Sequence, residues 1–139
     1  MKSNKITVHH IGSKKFTGIN GEGVSVMMDA ISPRTGHGPM ELLLDALGGC
    51  TAWDVVGILE KKKINLKQYR VEVEGDRAET YPQVYTEIRV KHIAQGENLT
   101  LKTFEKAVGL STGKYCSVHA NLNCSIITTV ELLENLENS

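Results

Sequence analysis

Cysteine is scarce in this sequence: the 139 residues include three, at positions 50, 116 and 124. A small, odd number does not suit the disulfide scaffold of a small secreted protein. The first ten residues carry charge but lack the apolar run of a signal peptide, and neither end has a lipidation signal. We therefore expect a cytoplasmic protein with reduced thiols, so the cysteines need another explanation.

Net charge is also absent, because 16 basic residues balance 16 acidic ones. Nucleic acid is therefore not an expected partner, since binding to phosphates normally requires a basic excess. Hydrophobic residues make up 40% of the chain, which argues against intrinsic disorder. The length suits one domain with its own core, and we expect a single domain over residues 1–139.

Motifs for nucleotide cofactors and serine hydrolases are missing as well. The chain has no G-K-[ST] phosphate loop and no G-x-S-x-G elbow, and its glycine-rich segment Gly18–Gly23 precedes a strand and reads as a turn. No cofactor is therefore expected.

Short runs rich in β-branched residues predict strands, and two-residue alternation marks two of them as strands with one wet face. Thr100 is a plausible N-cap for a helix over Leu101–Lys114. The predicted strands are Lys5–Ile11, Lys15–Asn20, Gly23–Ala30, Gln68–Arg77, Tyr85–Ile93 and Ser125–Leu133. With a further helix after the loop Ile31–Gly38, this order predicts an α+β fold.

That further helix is predicted over Met40–Lys63, with Gly38 as N-cap and Pro39 in the first turn. Its segment Leu42–Leu59 is apolar on nearly every side, so the helix should be buried centrally or against a partner. A membrane span is the competing interpretation. Two aspartates and three glycines within the segment argue against it, and we expect no membrane partner.

Cys50 lies inside the apolar segment. A buried free cysteine is most often a small core residue. Reactivity requires the thiolate, which an apolar helix interior opposes, so a nearby cation would be needed. Arg34, His37 and His119 are the candidates, although each also suits an ordinary surface position.

Two acidic residues, Asp54 and Glu41, lie on the same predicted helix as Cys50. Asp54 lies one turn beyond Cys50 on the same face, where an unpaired anion would oppose thiolate formation, and its simpler role is to solvate the helix. Glu41 lies roughly 13.5 Å before Cys50 along a straight helix and points to the opposite side. Helix capping is its simpler role.

Cys116 is predicted at the C-terminus of the second helix, where the helix dipole disfavours a thiolate. It would be a poor primary nucleophile but could be a resolving thiol. Cys116 and His119 form a C-x-x-H pair that Cys124 and Cys50 could complete as a zinc site. Structural zinc sites usually show two close pairs, so we expect no metal.

Two motifs resemble the OsmC/Ohr family, the osmotically inducible and organic hydroperoxide resistance proteins. They are P-x-E-L-L-L…G-G-C in Pro39–Val56 and K-Y-C-x-V in Lys114–His119. The resemblance implies an intertwined homodimer with an OsmC-like fold, in which antiparallel β-sheets surround a long, central, buried helix. It also implies that an active site lies at the interface between two chains.

The same resemblance implies the chemistry. Cys50 would attack an organic hydroperoxide and become a sulfenic acid, and Cys116 would condense with it to a disulfide that a dithiol reductant opens. Arg34 falls where the family's thiolate-activating arginine is expected, and Glu41 would be its acidic partner.

One position departs from the hydroperoxide-reducing members, in which the acid directly follows the helix-opening proline. Here Met40 occupies that position and Glu41 comes one residue later, about 100° further around the helix. The pattern is closer to an OsmC-like branch, and Cys124 matches no family motif. Two functions stay open: a thiol-dependent peroxidase in oxidative stress defence, or a non-catalytic dimer that binds a small molecule or senses thiol redox state.

Overall fold

An antiparallel sheet of three short strands occupies the N-terminal part of the chain. It consists of β1 (Thr7–Gly12), β2 (Lys15–Ile19) and β3 (Ser25–Asp29), in that order. The β1–β2 turn contains Gly12 and Ser13 at positive φ, and the value of 125° at Gly12 is one that glycine adopts readily. The predicted meander of hairpins is therefore confirmed.

Helix α1 (Pro39–Lys61) follows the loop and ends two residues before the predicted boundary. Lys63 takes a left-handed φ of 59°, and its N–H donates to the Glu60 carbonyl. The N–H of Ile64 donates to the carbonyl of Leu59 at 3.0 Å. These two bonds form a Schellman motif, which ends the helix.

The computed structural model describes residues 2–134. The chain divides into two units, Met1–Leu43 and Leu44–Ser139, each of which is compact by its internal contacts. The first unit contains the three-stranded sheet and the loop before α1. The second contains most of α1 and all later elements.

Within one chain, α1 is buried along one stripe, at Leu47, Gly48, Thr51, Val55 and Leu59. The expectation of central burial holds for this stripe alone, because Trp53 on another face is 82% exposed. By length and mean hydropathy α1 could also cross a membrane, a test that core helices pass as well.

The second sheet contains β4 (Asn65–Arg77), β5 (Tyr85–Glu97) and β6 (Ser125–Leu132), in that order. The β4–β5 pair is antiparallel, whereas β5 and β6 are parallel. The expectation of antiparallel sheets is therefore wrong for β6. The chain reaches β6 through a helical crossover, and a crossover returns a strand in the same direction.

That crossover contains α2 (Leu101–Leu110), a π-helical turn (Ser111–Tyr115) and a short α3 (Ser117–Asn121). Thr100 caps α2 as predicted, since its hydroxyl accepts from the N–H of Thr103 at 3.1 Å. The π-turn ends the α-helical geometry four residues before the predicted boundary at Lys114. Because a π-turn changes the helical period, Tyr115 does not continue the buried face of α2 that contains Phe104 and Val108, and its side chain is 50% exposed.

The core of the second unit lies between α1, α2 and the end of β5. Its cluster of buried residues is Val55, Leu59, Ala94, Leu99, Phe104, Ala107 and Val108. The order of elements and this packing of helices on a sheet make an α+β fold, as predicted.

His92 of β5 is fully buried beside this core. Its Nδ1 forms a hydrogen bond with the Tyr69 hydroxyl at 2.7 Å, and its ring contacts that of Phe104 edge to face. Its Nε2 has no hydrogen-bond partner within residues 2–134. Burial lowers the pKa of His92 to about 4, so the imidazole is neutral at pH 7.

We expect this neutral histidine to make the protein less stable in mild acid. Between pH 6.5 and about 4 the unfolded chain binds a proton at His92 that the folded chain does not bind. Stability is therefore complete above the unfolded pKa and falls as the pH drops through this window. Urea unfolding at pH 7.5 and 4.5 should show that His92 accounts for a loss of about 2–3 kcal/mol.

His92→Gln is the matched variant, because its amide can still form a hydrogen bond with the Tyr69 hydroxyl but does not titrate. Any loss of stability that other titrating groups cause between the two pH values should be the same in the wild type and in His92→Gln. An identical loss of stability in the wild type and the variant between the two pH values would contradict the assignment to His92.

Candidate functional site

Three ionisable side chains meet in the second unit: Cys50 and Asp54 of α1, and Cys116 between the π-turn and α3. Their two sulfurs and a carboxylate oxygen all lie within 4.8 Å of one another. Cys50 and Asp54 share a helix face, as their spacing predicts. Both cysteines are free thiols. Two cysteines far apart in the sequence therefore become neighbours, which is the arrangement that a redox pair requires.

Cys116 lies at the C-terminal end of the π-turn that continues α2, as predicted, and it is also the N-cap of α3. Its Sγ accepts from the N–H of His119 at 3.4 Å. The pKa of Cys116 is raised to about 11, mainly by burial and to a lesser extent by the nearby Cys50 and Asp54, and the His119 N–H partly offsets these effects. Cys116 remains a poor primary nucleophile, but because of burial rather than the helix dipole.

Asp54 accepts a hydrogen bond from the first of two linked hydroxyl groups, those of Ser111 and Thr51. Ser111 donates from Oγ to Asp54 Oδ2 at 2.8 Å, across 57 residues of sequence. The Thr51 hydroxyl lies 2.8 Å from the same Ser111 oxygen. Since the hydroxyl hydrogen of Ser111 goes to Asp54, Thr51 is the donor in that second bond. The expectation that Asp54 simply solvates the helix is therefore wrong.

Arg34 and Glu41 form an ion pair within the first unit. Arg34 Nη1 and Nη2 contact Glu41 Oε1 and Oε2 respectively, the second at 3.2 Å. The Gly38 N–H also donates to Glu41 Oε1 at 2.8 Å. This N–H and the guanidinium hold the pKa of Glu41 below its usual range. The displacement of the acid from position 40 to 41 therefore does not prevent the pair from forming.

Glu41 also caps α1, as predicted. With Gly38 as N-cap, Glu41 is the third helical residue and reaches back to the N-cap N–H, as in a capping box. The Glu41 carboxylate thus caps the N-terminus of α1 and also orients the Arg34 guanidinium.

Asp29 organises the loop that carries Arg34, and the sequence pattern did not single it out. This buried carboxylate accepts from the N–H groups of Ile31 and Thr35, each at 3.1 Å, and from the Thr35 hydroxyl. These backbone bonds lower the pKa of Asp29. The available signal was an aspartate at the end of a β-rich run, directly before a Pro/Gly loop, where Asx turns are common.

The zinc set considered from the sequence is not assembled. In the part of the chain that the structure describes, one group of three or more histidine, cysteine or acidic side chains is close enough to share an ion. That group is Cys50, Asp54 and Cys116. His119 and Cys124 are outside it, and His119 contributes its backbone N–H to the site.

The exposed face of α1 forms an apolar groove of about 460 Å³, lined by Gly49, Ala52, Trp53, Val56, Gly57 and Glu60. A side chain at Gly49 or Gly57 would meet no atom within 4 Å, whereas one at Gly48 would lie 3.1 Å from Val73. Close packing therefore accounts for Gly48 alone among the three glycines of the apolar segment.

Comparison with known proteins identifies the family. A family model described as OsmC-like protein matches residues 32–131. The chain belongs to the OsmC family. Protein YhfA of Escherichia coli K12 is 36% identical over 114 residues, which cover 82% of this OsmC protein and 85% of YhfA.

Solved structures of OsmC relatives share the fold. A hypothetical protein from Aquifex aeolicus VF5 superposes with a TM-score of 0.86 at 31% identity, covering 97% of this chain and 100% of that one. The organic hydroperoxide resistance protein OhrB of Bacillus subtilis superposes with a TM-score of 0.64 at 14% identity, covering 95% and 98%. These superpositions show that this OsmC protein has the fold of both structures.

Proposed function

We propose that this protein is a cytoplasmic thiol-dependent peroxidase that reduces organic hydroperoxides in oxidative stress defence. The Cys50 thiolate attacks the peroxide oxygen, an alcohol leaves, and Cys50 becomes a sulfenic acid. The Cys116 thiol condenses with it, which releases water and forms a Cys50–Cys116 disulfide. A dithiol of the lipoyl type, or another thiol, then reduces the disulfide. The supporting observation is the meeting of the two free thiols within 4.8 Å.

The two cysteines differ in the way these roles require. Cys50 is half-buried and reachable, whereas Cys116 is 5% exposed and its thiol has a raised pKa. A peroxide therefore meets Cys50 first. Cys116 needs only to reach the neighbouring sulfur, which demands proximity more than acidity.

Arg34 and Glu41 complete the proposed machinery. The guanidinium would stabilise the Cys50 thiolate, and Glu41 would hold the guanidinium in one orientation. The two-point contact between Arg34 and Glu41 supports this, because such contacts are directional as well as strong.

The proposed active form is a homodimer in which α1 packs against the partner's α1. An apolar groove with an 82% exposed tryptophan is an unusual surface for a monomer. Gly49 and Gly57 leave open space for the close approach of another backbone. The site needs no metal or other cofactor in this scheme.

A non-catalytic role is the second candidate, either small-molecule binding or thiol redox sensing by the dimer. The apolar groove along α1 favours binding, and a disulfide that forms slowly and stoichiometrically would favour sensing.

Titration with cumene hydroperoxide separates the two candidates. As a peroxidase, the reduced protein should lose two hydrogen atoms per chain by mass spectrometry, and peptide mapping should link Cys50 to Cys116. With dihydrolipoate present, each chain should consume many equivalents of peroxide. Sulfinic acid at Cys50 without the disulfide, or the disulfide without turnover, would contradict the peroxidase.

A further inference from the structure

Asp54 lies beside both sulfurs yet has no part in the peroxidase scheme. An anion there would be a disadvantage if the site had only to produce a Cys50 thiolate, because it repels negative charge on either sulfur. The half-buried carboxylate is nevertheless held by a hydrogen bond from Ser111. Such a position suits a group that takes up a proton.

The thiol that must lose a proton is Cys116. It attacks as a thiolate, but burial raises the pKa of Cys116 and so keeps most of it protonated at pH 7. A base close to Cys116 would remove this limitation, since general bases typically accelerate such steps by about 10²–10⁴-fold.

We propose that Asp54 is the catalytic base for the attack of Cys116 on oxidised Cys50. This inference rests on the proposed Cys50–Cys116 disulfide chemistry. The S–H bond of Cys116 breaks and its proton passes to the Asp54 carboxylate. The sulfur electron pair forms the S–S bond as the S–O bond of the sulfenic acid breaks. The proton on Asp54 then joins the leaving hydroxide, and water departs.

Ser111 sets the geometry of both partners in this transfer. Its hydroxyl holds Asp54 Oδ2, and its carbonyl accepts the Cys116 N–H at 2.8 Å. The π-turn that begins at Ser111 therefore brings the thiol next to the acid. Oδ2 of Asp54 is thus anchored by Ser111, and a carboxylate oxygen of Asp54 lies within 4.8 Å of the Cys116 sulfur.

Other charged and titratable groups border Asp54 and Cys116. Lys61 and Tyr115 line a groove with Asp54, and Tyr69 of β4 faces the carboxylate closely enough for its own pKa to be raised partly by it. Burial is the larger cause of that rise. A phenol that stays protonated is a poor proton acceptor.

The test uses an aromatic disulfide, dithiobis(nitrobenzoic acid), with reduced protein carrying Cys124→Ser. The reagent first forms a mixed disulfide at Cys50 and releases one thionitrobenzoate. Attack by Cys116 then releases a second, and the rate of this second step reports the proposed proton transfer. Asp54→Asn keeps an oxygen that can accept from Ser111 but removes the base.

We expect Asp54→Asn to slow the second release about 100-fold at pH 7 while leaving the first release as fast or faster. The difference in second-step rate between the wild type and Asp54→Asn should become smaller as the pH rises from 6 to 10. At higher pH, hydroxide increasingly ionises Cys116, so the reaction depends less on a carboxylate base. Asp45→Asn on the same helix is the matched control and should match the wild type in both steps. Ser111→Ala should slow the second step by a smaller factor, since it loosens the base without removing it.

An unchanged second step in Asp54→Asn, or a deficit that is the same at every pH, would overturn the role of Asp54. Failure of the peroxidase proposal looks different: the wild type would form the disulfide with the aromatic reagent but not with cumene hydroperoxide. The deficit of Asp54→Asn in the second step would then still support Asp54 as the base.

Discussion

Cys50→Ser should lower the rate of cumene hydroperoxide consumption by about 10³-fold or more, with dihydrolipoate as reductant. A serine hydroxyl in place of the thiol has no comparable nucleophilicity, because it is not ionised at neutral pH as a thiol can be. Peroxide consumption followed in a stopped-flow assay measures the effect. The variant should fold normally, because the change replaces one small half-buried side chain by another.

Two further serine variants make this result specific. Cys124→Ser should consume peroxide at the wild-type rate, because Cys124 is outside the cluster of Cys50, Asp54 and Cys116. Cys116→Ser should still react once with peroxide but should then accumulate sulfenic and sulfinic acid at Cys50, because the resolving thiol is missing. Equal turnover of the wild type and Cys50→Ser would remove the basis for a peroxidase.

Trp53→Glu should weaken the proposed dimer about 100-fold or more. Its indole is the largest exposed apolar group of the α1 groove, and aromatic residues at the centre of an interface typically contribute the most binding energy. Two glutamates brought together across a helix–helix contact would also lose hydration. Sedimentation velocity over a range of protein concentrations should show dimers for the wild type and monomers for the variant.

Tyr81→Glu is the matched control, since Tyr81 is an aromatic residue with 87% exposure outside the groove. This variant should dimerise like the wild type. If the wild type is monomeric at micromolar concentration, or if both variants dissociate alike, the α1 groove is not the dimer interface.

Much of the fold was predictable because its signals are local. The hairpin meander followed from β-branched runs and turns, and α2 began where Thr100 could cap it. The proximity of Cys50 and Asp54 followed from one turn of helix. Family membership was likewise indicated by two short motifs, and the match over residues 32–131 confirmed it.

The remaining features depend on contacts between distant segments. Tyr115, at the end of the π-turn after Leu110, is exposed, and Cys116 both ends this turn and caps the start of α3. The crossover through these helices placed β6 parallel to β5. Neither feature has a periodic signature, because both depend on how helices and strands pack rather than on the pattern within one of them.

The site of Cys50 and Cys116 likewise combines features that local sequence signals predict with features that depend on contacts between distant segments. The resemblance of two motifs to the OsmC/Ohr family predicted Cys50 and Cys116 as a pair, and the structure brings their sulfurs within 4.8 Å. The role of Asp54 was invisible at this level, since one turn of helix brings an anion near Cys50 but says nothing of its partners. The bond from Ser111, 57 residues away, gave the carboxylate its orientation, and packing of the π-turn against α1 supplied that bond.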